Sequence, residues 1–491
     1  MTTKSSFTRT KIVATIGPAS NTKAVLTDLL EAGVDVFRLN FSHGTHDEHL
    51  KVYNLIREIS PTVAVLIDLS GPKFRIGLVE KPFNLKKGET IVLTTEEVVG
   101  SEQNKRFTVS HNKLPQEVKI GSKLYINDGL IGLNVSKIDK NDIICEVFAE
   151  GLISSKKGIN APKLPLSLYF PTEKDIEDAT FALDNFNPEP DFFGISFIRR
   201  PEDVQPIKQL LTKKYKKTKL IAKIEHQDAL DQMDAILDAC DGVMVARGDL
   251  GIEIPTEDVP IIQKELIRKA NQIGKPVITA TQMLESMTFN KRPTRAEAGD
   301  VSNAVLDGSD AVMLSGETAS GNYPLDSVQY MDRIAKRAEQ MAFKSNEKEF
   351  HFNDANITNP MSISENLGFS AYTLSKNLPI SAIIAITRTG STAQIVAKFR
   401  PKAPILACTG VESTARQLQL VWGVEPILIP LITSTDELIY RSVVECFKLE
   451  YLDKNDQVLI IAGTLLGVPS KTNQIQVLKV ENVLALESKF P

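Results

Sequence analysis

The chain has four cysteines, one tryptophan and six histidines among 491 residues, and each scarcity removes a class of function. Cys145, Cys240, Cys408 and Cys446 are scattered without a C-x-x-C pair, which argues against a disulfide framework or a zinc site and makes them reduced packing residues. The histidines contain no HExxH or HxH pairing, so a histidine-built metal centre is not expected. No apolar run approaches the roughly 18 residues of a membrane span, and the start of the chain carries no apolar signal core. A cytoplasmic location is the expectation. Neither charge dominates: 57 Lys+Arg stand against 61 Asp+Glu, a net of −4. No long-range field therefore recruits nucleic acid or a membrane surface, and an anionic ligand has to be held by a local site. GxxxxGK[ST] and GxGxxG are both missing, so helix starts and discrete Arg or Lys clamps would hold any nucleotide.

What is present is ordinary globular material, 42% hydrophobic and 24% charged, long enough for roughly three domains at about 100 to 200 residues each. Eight short apolar runs recur: Lys11–Gly17, Val34–Phe41, Val63–Leu69, Phe192–Ile198, Lys219–Ile224, Gly242–Arg247, Pro276–Thr281 and Ala311–Ser315. Amphipathic helical patterns such as Asp47–Ile59 and Asp258–Ile273 alternate with them. Eight β/α units predict a (β/α)8 TIM barrel over residues 1–69 and 171–342. The interval 70–170 breaks the rhythm. Its short alternating strands (Thr90–Thr94, Lys123–Ile126, Ile143–Phe148) and turn signals predict an inserted β-barrel domain serving as a lid. Residues 343–360 are polar and predict a linker, and βα alternation then resumes over 361–491 as a C-terminal α/β domain.

In such a barrel the catalytic groups project from the C-terminal strand ends, and here these ends are polar. In order they are Thr15; Arg38, Asn40 and Ser42; Asp68; Ser196; Lys223 and Glu225; Arg247 and Asp249; Thr281; and Ser315 with Glu317. Cations, hydroxyls and carboxylates in one pocket suit an anionic, metal-chelated substrate. Lys223 and Glu225, two apart on a strand end, face the same way. Glu225 and Asp249 on adjacent strands supply two hard oxygen ligands and leave further positions for water and substrate, as Mg2+ prefers. A plain Lys–Glu ion pair with an Asp in a turn would use the same residues. Gly248 and Gly251 beside Asp249 favour a site, because glycines let the backbone approach a ligand.

Six segments carry a family resemblance: Thr15–Ser20 (TIGPAS), Phe37–Gly44 (FRLNFSHG), Met244–Gly251 (MVARGDLG), Ala280–Ser286 (ATQMLES), Arg292–Glu297 (RPTRAE) and Met313–Thr318 (MLSGET). Together, and in this order, they resemble pyruvate kinases across essentially the whole chain. The resemblance implies phosphoryl transfer from phosphoenolpyruvate to ADP, giving pyruvate and ATP, the last step of glycolysis, with Mg2+ or Mn2+ as cofactor. It implies that Arg38 clamps the substrate phosphate, that Lys223 neutralises charge on the phosphoryl group in flight, and that Glu225 and Asp249 hold the metal. Ser196, Gly248, Asp249 and Thr281 would also meet substrate, with Thr281 beside the enolate and Ser315 and Glu317 further along a proton route. Asn40, Ser42, His43, Arg75 and Lys157 would face the nucleotide phosphates, and Asp128 would meet the nucleotide side when the lid closes.

Members of this family that depend on K+ carry Glu where this chain has Lys73, in Asp68–Lys73 (DLSGPK). An ammonium there would place a fixed charge at the monovalent-cation position formed with Asn40, Ser42 and Asp68, so K+ is expected not to be required. In the C-terminal domain the loop Thr387, Arg388, Thr389, Gly390, Ser391, Thr392 suits a phosphorylated effector at a helix start, and equally suits an ordinary capped turn. The loop Gly463–Lys471 lacks the Arg and Trp of fructose-bisphosphate-responsive members. A homotetramer is the family habit, and neither nucleic acid nor membrane is an expected partner. Two rival readings are a metal-dependent enolate aldolase or lyase with a Schiff base at Lys223, and a non-catalytic metabolite-binding homologue.

Overall fold

The eight apolar runs close on themselves. In the computed structural model, which describes residues 8–127, 129–162, 164, 170–344, 361–432, 434–463 and 472–489, parallel strands Lys11–Ile16, Val36–Asn40, Ala64–Asp68, Phe192–Ile195, Lys219–Ile224, Gly242–Ala246, Val277–Ala280 and Ala311–Leu314 form one barrel in chain order. Side chains alternate along a strand, and this period of two builds the interior. Val13, Val36, Leu66, Ile221 and Met313 belong to the buried inner cluster. Two residues further along each strand, on the same face, stand Thr15, Arg38, Asp68, Lys223 and Ser315. The barrel is thus apolar in the middle and polar at its C-terminal mouth. Its other end is plugged by Leu420 of the C-terminal domain, 1% exposed and packed into that same inner cluster.

The outward faces of the strands meet helices capped where the sequence offers caps. Thr45, Thr172 and Thr294 each accept from the backbone three residues on, and the acid at that position answers back. The continuous apolar period over residues 227–239, which by itself predicts one helix, is divided between two, Gln227–Asp231 and Met233–Ala239, broken at Gln232.

Between the third and fourth barrel strands the insertion forms a six-stranded sheet in the order Ile159–Asn160, Lys123–Ile126, Ile131–Asp139, Asp142–Ala149, Thr90–Thr94, Arg106–Thr108, with a two-stranded ribbon of Phe83–Leu85 and Gly151–Ile153. It has its own buried core. The long helix Pro324–Lys344 runs two residues into the polar stretch that follows Met341. Beyond it, strands Ile380–Ile386, Ile405–Thr409, Val424–Leu428 and Gln457–Ala462 are parallel and Gln474–Lys479 is an antiparallel edge. All four cysteines are free and buried. Among the described residues no helix is long and apolar enough to cross a membrane. Asp128, residues 345–360 of the polar stretch and residues 464–471 of the late C-terminal loop lie outside the described residues.

Two arginines tie the C-terminal domain to the barrel. Arg416 Nε donates to Asp191 Oδ1 at 2.7 Å, while Arg57 Nη2 and the Val65 amide reach Asp191 Oδ2 at 2.8 and 2.9 Å. Arg400 donates to Asn271 and to the Gly308 carbonyl at the foot of the barrel. Asp191 directly precedes the fourth barrel strand, so this junction sits one strand length below the pocket.

Candidate active site

At the C-terminal mouth the polar strand ends meet around one ammonium. Lys223 Nζ stands 3.2 Å from Asp68 Oδ1 and 2.9 Å from Glu225 Oε1, and donates to Ser196 Oγ at 2.8 Å. Asp68, 1% exposed, also receives Arg38, whose Nε donates to Oδ2 at 2.8 Å while Nη1 donates to Thr15 Oγ1 at 2.9 Å. Five strands are linked in this way through side chains that the alternation turned inward.

The charges are shared unevenly. Burial alone would raise the Asp68 carboxyl, but Lys223 and Arg38 outweigh it and hold the group below its ordinary value. Burial also works against the Lys223 ammonium, yet Asp68 and then Glu225 overcome it and raise its pKa. Glu225 goes the other way. Burial, helped by the nearby Asp249 and only opposed by Lys223, raises its pKa. Asp68 is therefore the settled counter-ion and Glu225 the carboxylate with surplus negative charge.

That surplus bears on a divalent cation. Glu225 Oε2 accepts the Phe197 amide at 2.7 Å, an amide presented by a left-handed backbone at Phe197, φ 54°. Lys223 lies 2.9 Å from Oε1 as its ion-pair partner, and no other donor among the described residues reaches this buried oxygen. A buried, undersatisfied carboxylate oxygen beside a second carboxylate, Asp249, is a donor set that fits a hard cation. Among the described residues no group of three or more His, Cys, Asp and Glu side chains gathers as a metal site. Lys73 Nζ meets Asp249 Oδ1 at 2.8 Å, bringing the insertion onto the barrel mouth.

The remaining candidates fall into three groups. Thr281 lies just beyond the seventh strand with φ 67°, followed by Gln282 at 53°. A β-branched residue in this region is an outlier and costs about 1–3 kcal/mol. Its Oγ1 accepts the Gly248 amide at 2.8 Å and donates to the Ala280 carbonyl at 2.6 Å. Ser315 Oγ is buried without a hydrogen-bond partner among the described residues. Glu317, 1% exposed, accepts the amides of Leu284 and Ser315 at 3.0 and 2.7 Å, which makes it a brace of that corner. On the nucleotide side, Asn40 Oδ1 accepts the Ser42 amide at 3.1 Å. His43 has a lowered pKa through burial and then through Arg75, Arg38 and Lys73, which shows a positive field at that edge. Arg75 and Lys157 lie on neighbouring segments of the insertion, joined by the Ile76 amide on the Lys157 carbonyl at 2.9 Å; Arg75 donates to the Lys156 carbonyl at 3.1 Å.

The C-terminal loop is far from these strand ends in sequence and belongs to another sheet. Thr387 Oγ1 accepts the Gly390 amide at 2.9 Å, with Gly390 at φ 89° opening helix Ser391–Lys398. Thr392 meets Thr472 at 3.0 Å, and the Arg388 carbonyl accepts Thr414 at 2.9 Å. Thr389 and Ser391 hydroxyls lie 3.1 Å apart.

Sequence reasoning placed Lys73 at a monovalent-cation position and did not foresee its pairing with Asp249, because the partners are 176 positions apart and nothing local links them. It also left Arg247 without a role. The signal for it was the cation directly before Gly248 and Asp249 at a strand end.

A barrel whose mouth centres on a buried ammonium, an arginine and paired carboxylates has the make-up of an enzyme site for an anionic substrate. Comparison with known proteins makes the class specific. The profile described as "Pyruvate kinase, barrel domain" matches residues 7–328, and "Pyruvate kinase, alpha/beta domain" matches 365–478. "Pyruvate kinase 2" of Synechocystis is 44% identical over 97% of this chain and 80% of its own length. A pyruvate kinase of Clostridium acetobutylicum is 42% identical over 96% of this chain and all of its own. The crystal structure of a pyruvate kinase from Cryptosporidium parvum superposes with a TM-score of 0.85 at 36% identity, covering 96% of each chain. The chain belongs to the pyruvate kinase family, which are phosphotransferases.

Proposed function

We infer that the protein transfers the phosphoryl group of phosphoenolpyruvate to ADP, forming pyruvate and ATP as the closing step of glycolysis, with Mg2+ or Mn2+ held by Glu225 and Asp249. The observation that carries this reading is the Lys223 ammonium, 12% exposed, raised in pKa and fixed between Asp68 and Glu225. The P–O bond to the enol breaks, a P–O bond to the terminal oxygen of ADP forms, and the electron pair stays on the enolate, which then takes a proton at its methylene carbon. The divalent cation, when bound, neutralises charge on the carboxylate and enolate oxygens of the substrate. Arg38 holds the phosphate, and Lys223 stabilises charge on the phosphoryl oxygens during transfer. Ser196 orients Lys223, and the Gly248 turn faces the substrate carboxylate. Thr281 Oγ1 supplies the proton side of the enolate, with Ser315 behind it in a corner braced by Glu317. Asn40, Ser42, His43, Arg75 and Lys157 bind the nucleotide phosphates.

A Schiff-base aldolase or lyase is disfavoured by the same ammonium, because such a lysine needs its pKa lowered to present a neutral amine, whereas Asp68 and Glu225 raise it. Lys73 provides a fixed charge where K+ would act, and its pairing with Asp249 keeps it at the mouth, so turnover does not require K+. The loop 387–392 takes a phosphorylated effector, the functional unit is a homotetramer, and the enzyme works in the cytoplasm.

The test is a pyruvate assay with and without ADP. Pyruvate formed only with ADP and a divalent cation supports this reading. Formation without ADP, or capture of pyruvate on Lys223 by borohydride, sinks it.

A further inference from the structure

Beside the strained turn after the seventh barrel strand lies a buried guanidinium that the reaction as described does not use. Arg247 is 9% exposed. Its Nη2 donates to the Thr281 carbonyl at 2.7 Å and the Gln282 carbonyl at 3.2 Å, and its Nε lies 3.4 and 3.3 Å from the carbonyls of Ala280 and Thr281. On its other side Nη1 donates to Asp300 Oδ1 at 2.8 Å and reaches Gln263 Oε1 at 3.4 Å.

Carbonyls alternate in direction along an extended strand. Two successive left-handed residues, Thr281 and Gln282, turn three consecutive carbonyls toward one side instead. A planar fork of five donors can gather such a set, where a lysine would offer a single point charge. The residue after Arg247 completes the grip, since the Gly248 amide donates to Thr281 Oγ1 at 2.8 Å. The backbone of Thr281 and its hydroxyl are thus both fixed by one dipeptide, which leads directly into Asp249. Strain at one residue, held by a buried cation anchored elsewhere, is how a fold keeps a reactive group in a conformation it would otherwise leave.

We propose that Arg247 is a positioning residue for the proton step: without touching substrate, it collects the carbonyls of residues 280–282 and so holds the Thr281 hydroxyl where the enolate is protonated. This rests on the role given to Thr281 above. Its consequence is selective, because loosening Arg247 weakens proton transfer and leaves the phosphate clamp, Arg38 and Lys223, in place.

The proton step can be watched alone. With the divalent cation bound and no phosphoryl donor, pyruvate gives up a methyl proton to the enzyme, the electron pair delocalises onto the carbonyl oxygen, and a deuteron from D2O restores the ketone. Methyl exchange is followed by proton NMR for the full-length protein, Arg247→Lys, Thr281→Ala and the double variant. Arg247→Lys is expected to slow exchange about 10- to 100-fold, the range for a group displaced by up to about an ångström, with KM for phosphoenolpyruvate within roughly threefold. The double variant should be no slower than Thr281→Ala, since both changes remove the same placed hydroxyl. Losses that multiply in the double variant, or wild-type exchange in Arg247→Lys, overturn the proposal. Wild-type exchange in Thr281→Ala removes the role of Thr281 itself, a different failure. If a thermal scan shows Arg247→Lys unfolded, Asp300→Asn, which loosens only the outer anchor, enters the same cycle under the same criteria.

Discussion

Replacing Lys223 by methionine separates the phosphoryl-transfer role of this side chain from every other one. The change keeps length and packing but removes the charge lying 3.2 Å from Asp68 and 2.9 Å from Glu225. A preorganised cation aimed at a transferring phosphoryl group supplies about 10³- to 10⁵-fold in comparable reactions, so kcat should fall by at least about 10³, or about 4 kcal/mol at about 1.36 kcal/mol per decade. Binding of the divalent cation should survive, because Glu225 and Asp249 remain. Stability should suffer at neutral pH. The folded pKa of Lys223 lies above its ordinary value of 10.5, so its contribution is fully present below that value and is lost only as pH rises through the folded pKa. The variant lacks that contribution at pH 7. Part of the loss is offset because Glu225, already raised in pKa by burial, can take up a proton, while Asp68 keeps Arg38. The measurements are pyruvate formation at saturating substrates and thermal denaturation at pH 5 and pH 8. A variant retaining more than about a tenth of wild-type kcat would show that charge on the phosphoryl group is carried elsewhere, and the assignment of Lys223 would fall.

Three further outcomes are expected. Lys73→Glu should make turnover depend on K+, seen by exchanging KCl for tetramethylammonium chloride; a wild-type protein that stops without K+ refutes the premise. Asp191→Asn removes the charge shared by Arg57 and Arg416, leaving, among the described residues, the buried Arg416 with only the exposed Glu412 at 3.8 Å and Arg57 with only the Tyr53 hydroxyl and the Val63 carbonyl. The cost is about 3–5 kcal/mol, visible as an earlier transition in a thermal scan, and an unchanged scan would mean that the domain junction is held by packing alone. Glu253 has its carboxyl pushed by burial from 4.5 up to about 7, so the folded state retains a proton that the unfolded chain has lost, and stability declines with rising pH across that interval. Glu253→Gln should therefore stabilise the metal-free protein by an amount growing from pH 5 to about 3 kcal/mol above pH 8, and a gain independent of pH contradicts the cause given.

The barrel was legible because its signal is local. Runs such as Val63–Leu69 are short and apolar, as burial on both faces of a parallel strand demands, and carry a polar residue at or beside the C-terminal end, here Asp68. The polar mouth was legible for the same reason, since Thr15, Arg38, Asp68 and Lys223 stand in phase with inward apolar residues two positions before them. Pairings between distant segments were not legible. Nothing around Lys73 announces Asp249, and nothing around Leu420 announces that it fills the foot of the barrel, because closure of the chain creates those contacts. The break at Gln232 inside an otherwise helical pattern was also hidden, for the apolar period continues through it on both sides. The left-handed backbone at Thr281 contradicts the preference of a β-branched residue, so local propensity points away from the conformation the tertiary structure imposes.

One property of the pocket follows from the pairings taken together. Lys223 leans on Asp68 and Glu225, Arg38 on Asp68, and Lys73 on Asp249, so these three cations of the barrel mouth each already have a carboxylate partner. Two of those carboxylates are the ones suited to a metal. If Glu225 and Asp249 hold the divalent cation as proposed, binding would be an exchange of partners, in which the ammonium groups that lean on those two carboxylates would turn to the phosphate and carboxylate of the substrate. A cation alone would draw from Lys223 one of its two carboxylate neighbours, and an anionic substrate alone would add negative charge beside Glu225. On that reading the site would couple metal and substrate through charge balance, with Asp68, tied to both Arg38 and Lys223, keeping those two cations in place while their other partners change.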